Sequence, residues 1–421
     1  MKYIEQDSND ALNLIKSSRN CFLTGPPGSG KSHIIREYIR YCKLEHINIG
    51  ITASTGIAAK IIDGYTIHSW SGIEIVEMKD LFEDVLKRVL NKPNIVKRWR
   101  LVNVLIIDEI SLVDCKLFDF LNRIGMHIRN NSKPFGGIKL LIVGDFYQLP
   151  PVCGDFCFNS NDWNNIFEYN IYLTSNYRSE DIRLTKILKT IRKAKPLKKN
   201  MIKALESRII DTNIDGTINW VYPVLAPLRE TARSINEKKL NENINKEYIY
   251  NAMFSTQCSN ASIKKMVLNM SPLEEKLILK KGCSVVNVVN DNTRGLMNGM
   301  VGTIENFIND KPVVNFEGKI YIMDYHVWTK TTDNNDTVFM KQIPLLVAYA
   351  LTIHRCQGMT LNQASIILDR NIFECGQAYV ALSRLKSLDN MYITGNDMTI
   401  NPNVFMVNQQ VKDYYKNQKI I

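Results

Sequence analysis

Apolar and polar positions along the chain follow two rhythms. Within residues 20–152, short apolar runs at 21–23, 47–52, 104–107 and 140–143 are separated by stretches whose apolar residues recur at helical spacing. Short strands alternating with helices predict an α/β fold with a parallel sheet covered on both faces. Residues 74–100 place Leu81, Phe82, Val85, Leu86 and Val89 on one helical face and predict a small helical insertion. Residues 182–210 read as basic amphipathic helices, followed by a strand at 224–226 and a helix through Ile235 and Asn236. Between 281 and 318 the rhythm changes to short strand-like runs punctuated by glycine, with Leu296, Met297, Asn298 and Gly299 in one stretch and Glu317 near the end of another. A chain of 421 residues exceeds one ordinary core, so two or three domains are expected.

Ligands of open α/β sheets sit at the carboxyl ends of the strands, so chemistry is sought there. After the first run comes Gly25-Pro26-Pro27-Gly28-Ser29-Gly30-Lys31-Ser32, which matches G-x-x-x-x-G-K-[ST] with a strand before it and a helical pattern after it. Its backbone N–H groups and the helix N-terminus suit a triphosphate, with Lys31 reaching the β- and γ-phosphates and Ser32 ligating Mg²⁺. The third run delivers Asp108 and Glu109, suited respectively to hold Mg²⁺ through water and to act as general base on the attacking water. The fourth run delivers Gly144-Asp145-Phe146-Tyr147-Gln148, with Gln148 placed to sense the γ-phosphate and Pro150-Pro151 stiffening the loop. The second run leads into Thr55-Gly56 and then Thr66-Ile67-His68-Ser69-Trp70. Those residues suit either nucleic-acid contacts through Thr55, Gly56, His68 and Trp70, or an N-cap followed by a core aromatic.

Composition narrows the partner. A net charge of +11 favours a polyanion, against the plainer reading of a lysine-rich surface. No uninterrupted apolar run is long enough to span a bilayer, so no membrane partner is expected. Nine cysteines, odd in number and scattered, together with an acidic start lacking a secretory leader, predict an intracellular, reducing location. Cys153 and Cys157 lack a second ligand pair, so zinc is not expected.

These segments together resemble the Pif-one-type DNA helicases of superfamily one, the branch related to the bacterial RecD helicases. The stretches 119–129 and 133–138, including Asp119, Asn122, Arg123, Arg129, Phe135 and Gly136, look like those distinguishing this family from other helicases. Leu173-Thr174-Ser175-Asn176-Tyr177-Arg178 resembles the motif whose arginine contacts the nucleotide, with Ser179 where the family has glutamine. Residues 350–361 are similar to the motif coupling ATP to DNA: His354, Gln357, Gly358 and Thr360 match, while Arg355 and Cys356 depart from the usual Lys and Ser. Gly376, Gln377 and the run to Arg384 resemble the final motif.

The resemblance implies two RecA-like P-loop NTPase domains with parallel sheets, a small helical insertion and a small β-barrel insertion. The first domain would occupy residues 1–175, with its insertion at about 73–100. The second would occupy 176–245 and 340–421, and the inserted barrel region 246–339. It implies a single ATP site at the domain interface, Gln6 and Gln377 against the nucleotide, and Arg178 and Arg384 as cations from the second domain, Arg384 being the arginine finger. It also implies DNA contacts through Thr55, Gly56, His68, His354, Gly358 and Thr360. The expected protein is an ATP- and Mg²⁺-dependent helicase. It would act, as a monomer, on single-stranded and forked or structured DNA, moving 5′ to 3′ at nuclear or other sites of DNA replication, repair or recombination. An RNA helicase of the same superfamily, or a nucleotide-switched DNA-binding protein that does not unwind, would share many of these residues.

Overall fold

The computed structural model describes residues 2–418 apart from 75, 77–78, 176, 179–180, 211–220, 222, 256–260, 269–272, 290, 292, 297–298, 317, 332–336 and 395–398. Asn176, Ser179, Met297, Asn298 and Glu317, each in a stretch read above, lie outside the described residues. The chain divides into two compact units, one of residues 1–201, 374–383 and 405–421, the other of 202–373 and 384–404.

Among the described residues, the first unit is built on a seven-stranded sheet in the order β1-β7-β2-β6-β5-β3-β4. Its strands are β1 (Lys2–Gln6), β2 (Cys21–Thr24), β3 (Ile49–Ala53), β4 (Tyr65–Thr66), β5 (Val104–Asp108), β6 (Lys139–Val143) and β7 (Tyr169–Leu173). Every neighbouring pair runs parallel. The four apolar runs seen in the sequence are thus β2, β3, β5 and β6. The strands β1, β4 and β7 add to them, and their alternating sequences carry a weaker apolar signal than the fully buried β2 and β5. One face of the sheet packs Leu23, Ile106, Leu141 and Val143 against Ile34, Ile35 and Tyr38 of the helix Lys31–Leu44. Each fully buried aliphatic side chain of this kind contributes about 1.5–3 kcal/mol.

The stretch 119–138 is an architectural clamp. Arg129, in the helix Cys115–Arg129, donates from Nε to the Gly136 carbonyl at 2.8 Å and from Nη1 to the carbonyls of Trp99, Arg100 and Val102 at 2.9–3.0 Å. Asn122 accepts from the Phe135 N–H at 2.7 Å and donates to Asp162 at 2.8 Å. Residues 82–90 and 93–101 form two helices, Phe82–Leu90 and Pro93–Leu101, and the same arginine bonds the carbonyls at the end of the second.

The helices Ile182–Arg192, Gln377–Leu382 and Gln409–Asn417 pack within the first unit, where Tyr414 and Tyr415 enter an aromatic cluster with Phe146, Phe158 and Trp163. This grouping by packing differs from the domain division stated above.

The second unit carries a four-stranded parallel sheet of Ala350–Thr352, Val224–Ala226, Ala364–Ile367 and Met391–Thr394, in that spatial order. Beside it lies a five-stranded antiparallel sheet formed by Lys319–Ile322, Lys311–Phe316, Val301–Ile308, Ser284–Asn287 and Leu345–Val347. Its core gathers Val285, Ile304, Val314, Phe316 and Leu345.

Candidate active site

The sheet of the first unit presents the loop after β2 beside the ends of β6 and β5. Gly30 caps the helix Lys31–Leu44 at φ +95, a left-handed conformation that strains any side chain. A Cβ there would also come within 3.2 Å of Ser8 Oγ and 3.3 Å of the Tyr177 ring. The loop is thereby walled by Tyr177, whose N–H donates to the Gly28 carbonyl at 2.7 Å and whose hydroxyl accepts from Ser8 Oγ at 3.3 Å. Gln6 ends β1 opposite Leu173, two residues before Ser8. Sequence reasoning gave Tyr177 no role, although an aromatic directly before Arg178 was a signal it could have used.

Lys31 directs its amine back along the loop, donating to the carbonyls of Gly25 at 2.7 Å and Pro26 at 3.0 Å. Burial lowers its pKa from the ordinary lysine value, and the carboxylates of Asp145, Glu109 and Asp108 oppose that shift. Asp108 closes β5 and is buried; burial first and the Glu109 carboxylate second push its carboxyl up to about 7. The Glu109 N–H, donating to Asp108 Oδ1 at 2.8 Å, and Lys31 pull the other way. Glu109 itself stands at φ +52, a backbone conformation that costs a non-glycine residue about 1–2 kcal/mol. Strained residues of that kind cluster at functional sites.

Two buried polar atoms in this region, Ser29 Oγ and Gln148 Oε1, have no hydrogen-bond partner in the protein. An orphaned buried acceptor or hydroxyl is costly unless a ligand satisfies it. Together with a desolvated lysine and a buried Asp108 with which no lysine or arginine forms an ion pair among the described residues, they fit a nucleotide triphosphate with a divalent metal. Ser32 and Asp108 are the residues whose oxygens would hold such a metal.

Gln377 opens the helix Gln377–Leu382 and is buried; Arg178, half-buried, donates from Nη1 to the Ser383 carbonyl at the other end of that helix, at 3.0 Å. Arg384 belongs to the second unit, where it is buried, its N–H donating from Nη1 to the Met359 carbonyl at 3.4 Å. The two arginines therefore fall in different units. His354, exposed, faces the Phe373 ring with centroids 6.2 Å apart, while Gly358 lies at φ +84 and Thr360 is exposed; all belong to the second unit. Cys356, which departs from the family serine, is buried and donates its thiol to the Ile353 carbonyl at 3.1 Å.

In the first unit, Thr55 Oγ1 accepts from the Ala58 N–H at 3.2 Å and so caps the helix that begins at Gly56. Trp70 is no nucleic-acid contact: it is buried, edge-on to Trp99 at 4.9 Å. Thr66 caps its helix by accepting from the Ser69 N–H at 3.2 Å, so the plain alternative holds for Trp70 and Thr66. His68 is partly exposed, and burial lowers its pKa against the opposing pull of Asp114, which leaves the ring neutral at pH 7.

A glycine-rich loop joining a buried strand to a helix, with an Asp-Glu pair and a glutamine on neighbouring strand ends, defines a P-loop nucleotide triphosphatase. A family model described as "PIF1-like helicase" matches residues 4–209. The chain is 32% identical, over 93% of its length and 68% of the relative's, to the ATP-dependent DNA helicase Pif1 of Psychrobacter sp. strain PRwf-1. It superimposes with a TM-score of 0.83 on the Pif1 helicase of Candida albicans, at 29% identity and covering 99% of this chain and 100% of that one. For Bacteroides sp Pif1 in complex with ADP-AlF4 the TM-score is 0.78, the identity 26% and the coverages 98% and 96%. The chain belongs to the PIF1-like helicase family.

Proposed function

We propose that this protein is an ATP-dependent DNA helicase that moves 5′ to 3′ along single-stranded DNA and unwinds forked or structured duplexes. In this reading the molecule has the two RecA-like domains, helical insertion and β-barrel insertion expected from the sequence. The observation that carries it is the meeting of Lys31, Asp108, Glu109 and the partnerless Ser29 Oγ and Gln148 Oε1 at one set of strand ends. A structural relative captured with ADP-AlF4 supports the nucleotide. Relatives named as DNA helicases and a net charge of +11 support the polyanion.

Gly25, Pro26, Pro27, Gly28, Ser29 and Gly30 line the phosphates, while Gln6 and Gln377 bound the rest of the nucleotide. Mg²⁺, held by Ser32 and Asp108, neutralises phosphate charge when bound. Glu109 removes the proton from water as its oxygen bonds to the γ-phosphorus and the bond to the β-phosphate oxygen breaks. Lys31, Arg178 and Arg384 stabilise the charge that develops, and Gln148 reports the γ-phosphate. Thr55, Gly56, His68, His354, Gly358 and Thr360 contact the DNA strand.

The test is unwinding of duplexes with a 5′ or a 3′ single-stranded tail, with and without ATP, beside ATP turnover stimulated by DNA or by RNA. ATP-dependent opening of the 5′-tailed duplex is expected. Stimulation by RNA in place of DNA moves the assignment to an RNA helicase, and DNA binding without any opening moves it to a nucleotide-switched binding protein.

A further inference from the structure

Arg192 is the last residue of a helix whose sequence reads as basic and amphipathic, yet this arginine is 4% exposed. Its Nη2 donates to Asp145 Oδ1 at 3.0 Å and its Nε to Asp145 Oδ2 at 3.3 Å, a two-point grip. Its Nη1 donates to the Tyr172 hydroxyl at 3.1 Å, and the guanidinium lies 4.7, 5.1 and 5.3 Å from the ring centres of Tyr147, Tyr172 and Tyr415. A buried ion pair is a poor route to stability, because desolvating both charges offsets most of their attraction. Something besides stability accounts for this one.

Asp145 is fully buried and begins the turn that carries Gln148. Besides Arg192, its carboxylate accepts from the Tyr379 hydroxyl at 3.4 Å and from the Tyr147 N–H at 3.3 Å, and its carbonyl accepts from the Gln148 N–H at 3.0 Å. Gly376, at φ +79, lies so close to the turn that a Cβ there would stand 2.5 Å from the Gln148 carbonyl oxygen. The backbone of residues 145–148 is therefore held by these bonds and by the close approach of Gly376, and the buried side-chain atoms of the turn left without a partner are Tyr147 Oη and Gln148 Oε1.

We infer that Arg192 is a positioning residue for ATP hydrolysis: by fixing both oxygens of Asp145 it sets the turn that aims the Gln148 amide at the γ-phosphate. The inference rests on the proposed role of the phosphate loop and Gln148. The planar fork is the operative feature, since a lysine would supply the charge without the two-point grip.

Arg192→Lys is expected to lower DNA-stimulated kcat about tenfold while leaving KM for ATP within about twofold. In a Gln148→Ala background the same substitution should change kcat by less than about twofold, because residues acting as a unit are not additive. Losses that multiply in the double variant, a change in KM alone, or an unchanged kcat would overturn the inference. If Arg192→Lys melts early, Tyr379→Phe removes a single hydroxyl from Asp145. It should cost about threefold in kcat, again only where Gln148 is present; an equal loss in both backgrounds overturns it. Lys31→Ala is assayed alongside. Retained turnover there sinks the nucleotide reading itself, whereas abolished turnover there with Arg192→Lys unaffected removes only the role of Arg192.

Discussion

Two aspartates stand at the ends of neighbouring parallel strands and are treated in opposite ways. Asp145 follows β6 and is gripped by Arg192 within a cage of tyrosines. Asp108 closes β5 and is also buried, yet among the described residues no lysine or arginine forms an ion pair with it. Its neighbour Glu109 adds a like charge, and Lys31 spends its amine on loop carbonyls. A carboxylate whose cation is built into the protein holds structure in place; one whose cation is missing marks where a charged ligand belongs.

Removing Lys31 tests the ligand side of this contrast most severely. Lys31→Ala should cut ATP turnover by roughly a thousandfold or more while DNA binding persists, since the lysine acts on transition-state charge. Phosphate release and a DNA-binding titration on the same preparation check it, and ordinary turnover would dissolve the distinction between the two aspartates.

Next in size is the structural side. Asp145→Asn strips the buried Arg192 of its counter-charge and should cost about 3–5 kcal/mol of stability, read from urea unfolding. A loss below about 1 kcal/mol would mean that the cage holds the arginine without its acid.

Asp108→Asn should act in the opposite direction. Burial and the Glu109 carboxylate push its folded-state carboxyl up to about 7, above the ordinary aspartate value of about 4, so the native state binds the extra proton between those values. The stability that this proton brings is present in full below about 4 and lost as pH rises through about 7. The neutral asparagine escapes that loss, so in the absence of nucleotide and metal the variant should gain on the parent between pH 5 and pH 8 by on the order of 2 kcal/mol. Unfolding at the two pH values measures it, and a difference that shrinks with rising pH contradicts the assignment.

The ligand side was legible in sequence because phosphate binding needs backbone geometry at fixed spacing: glycines, a lysine and a hydroxyl in eight residues, then Asp108 and Glu109 after an unbroken apolar run. The structural side was not. Arg192 sits in a run rich in Lys and Arg, and nothing local separates it from its solvated neighbours. Its partner Asp145 lies 47 positions away, and Tyr379 and Tyr415 lie farther still, so only tertiary packing brings the four together. Trp70 stayed open between two readings for a related reason, since a tryptophan near small hydroxyls reads alike whether it faces a base or, as here, Trp99 and the backbone of Gly50. The edge strand β1 and its neighbour β7 were missed because their sequences, KYIEQ and YNIYL, mix polar residues among the apolar ones and do not stand out as apolar runs.

His68 extends the contrast to a base and carries the smallest effect. Burial lowers its pKa, and the opposing pull of Asp114 does not reverse the shift, so at neutral pH the ring brings no charge to the DNA contact proposed for it. A neutral contact releases no counterion. His68→Gln should therefore weaken single-strand binding modestly while leaving the slope of log affinity against log salt unchanged, whereas a lost cation would reduce that slope by about 0.7. Titrations across a salt series at pH 7.5 decide it. A slope reduced by that amount would mean that DNA phosphate recharges the imidazole on binding, placing His68 with Asp108 among groups whose missing partner is the ligand.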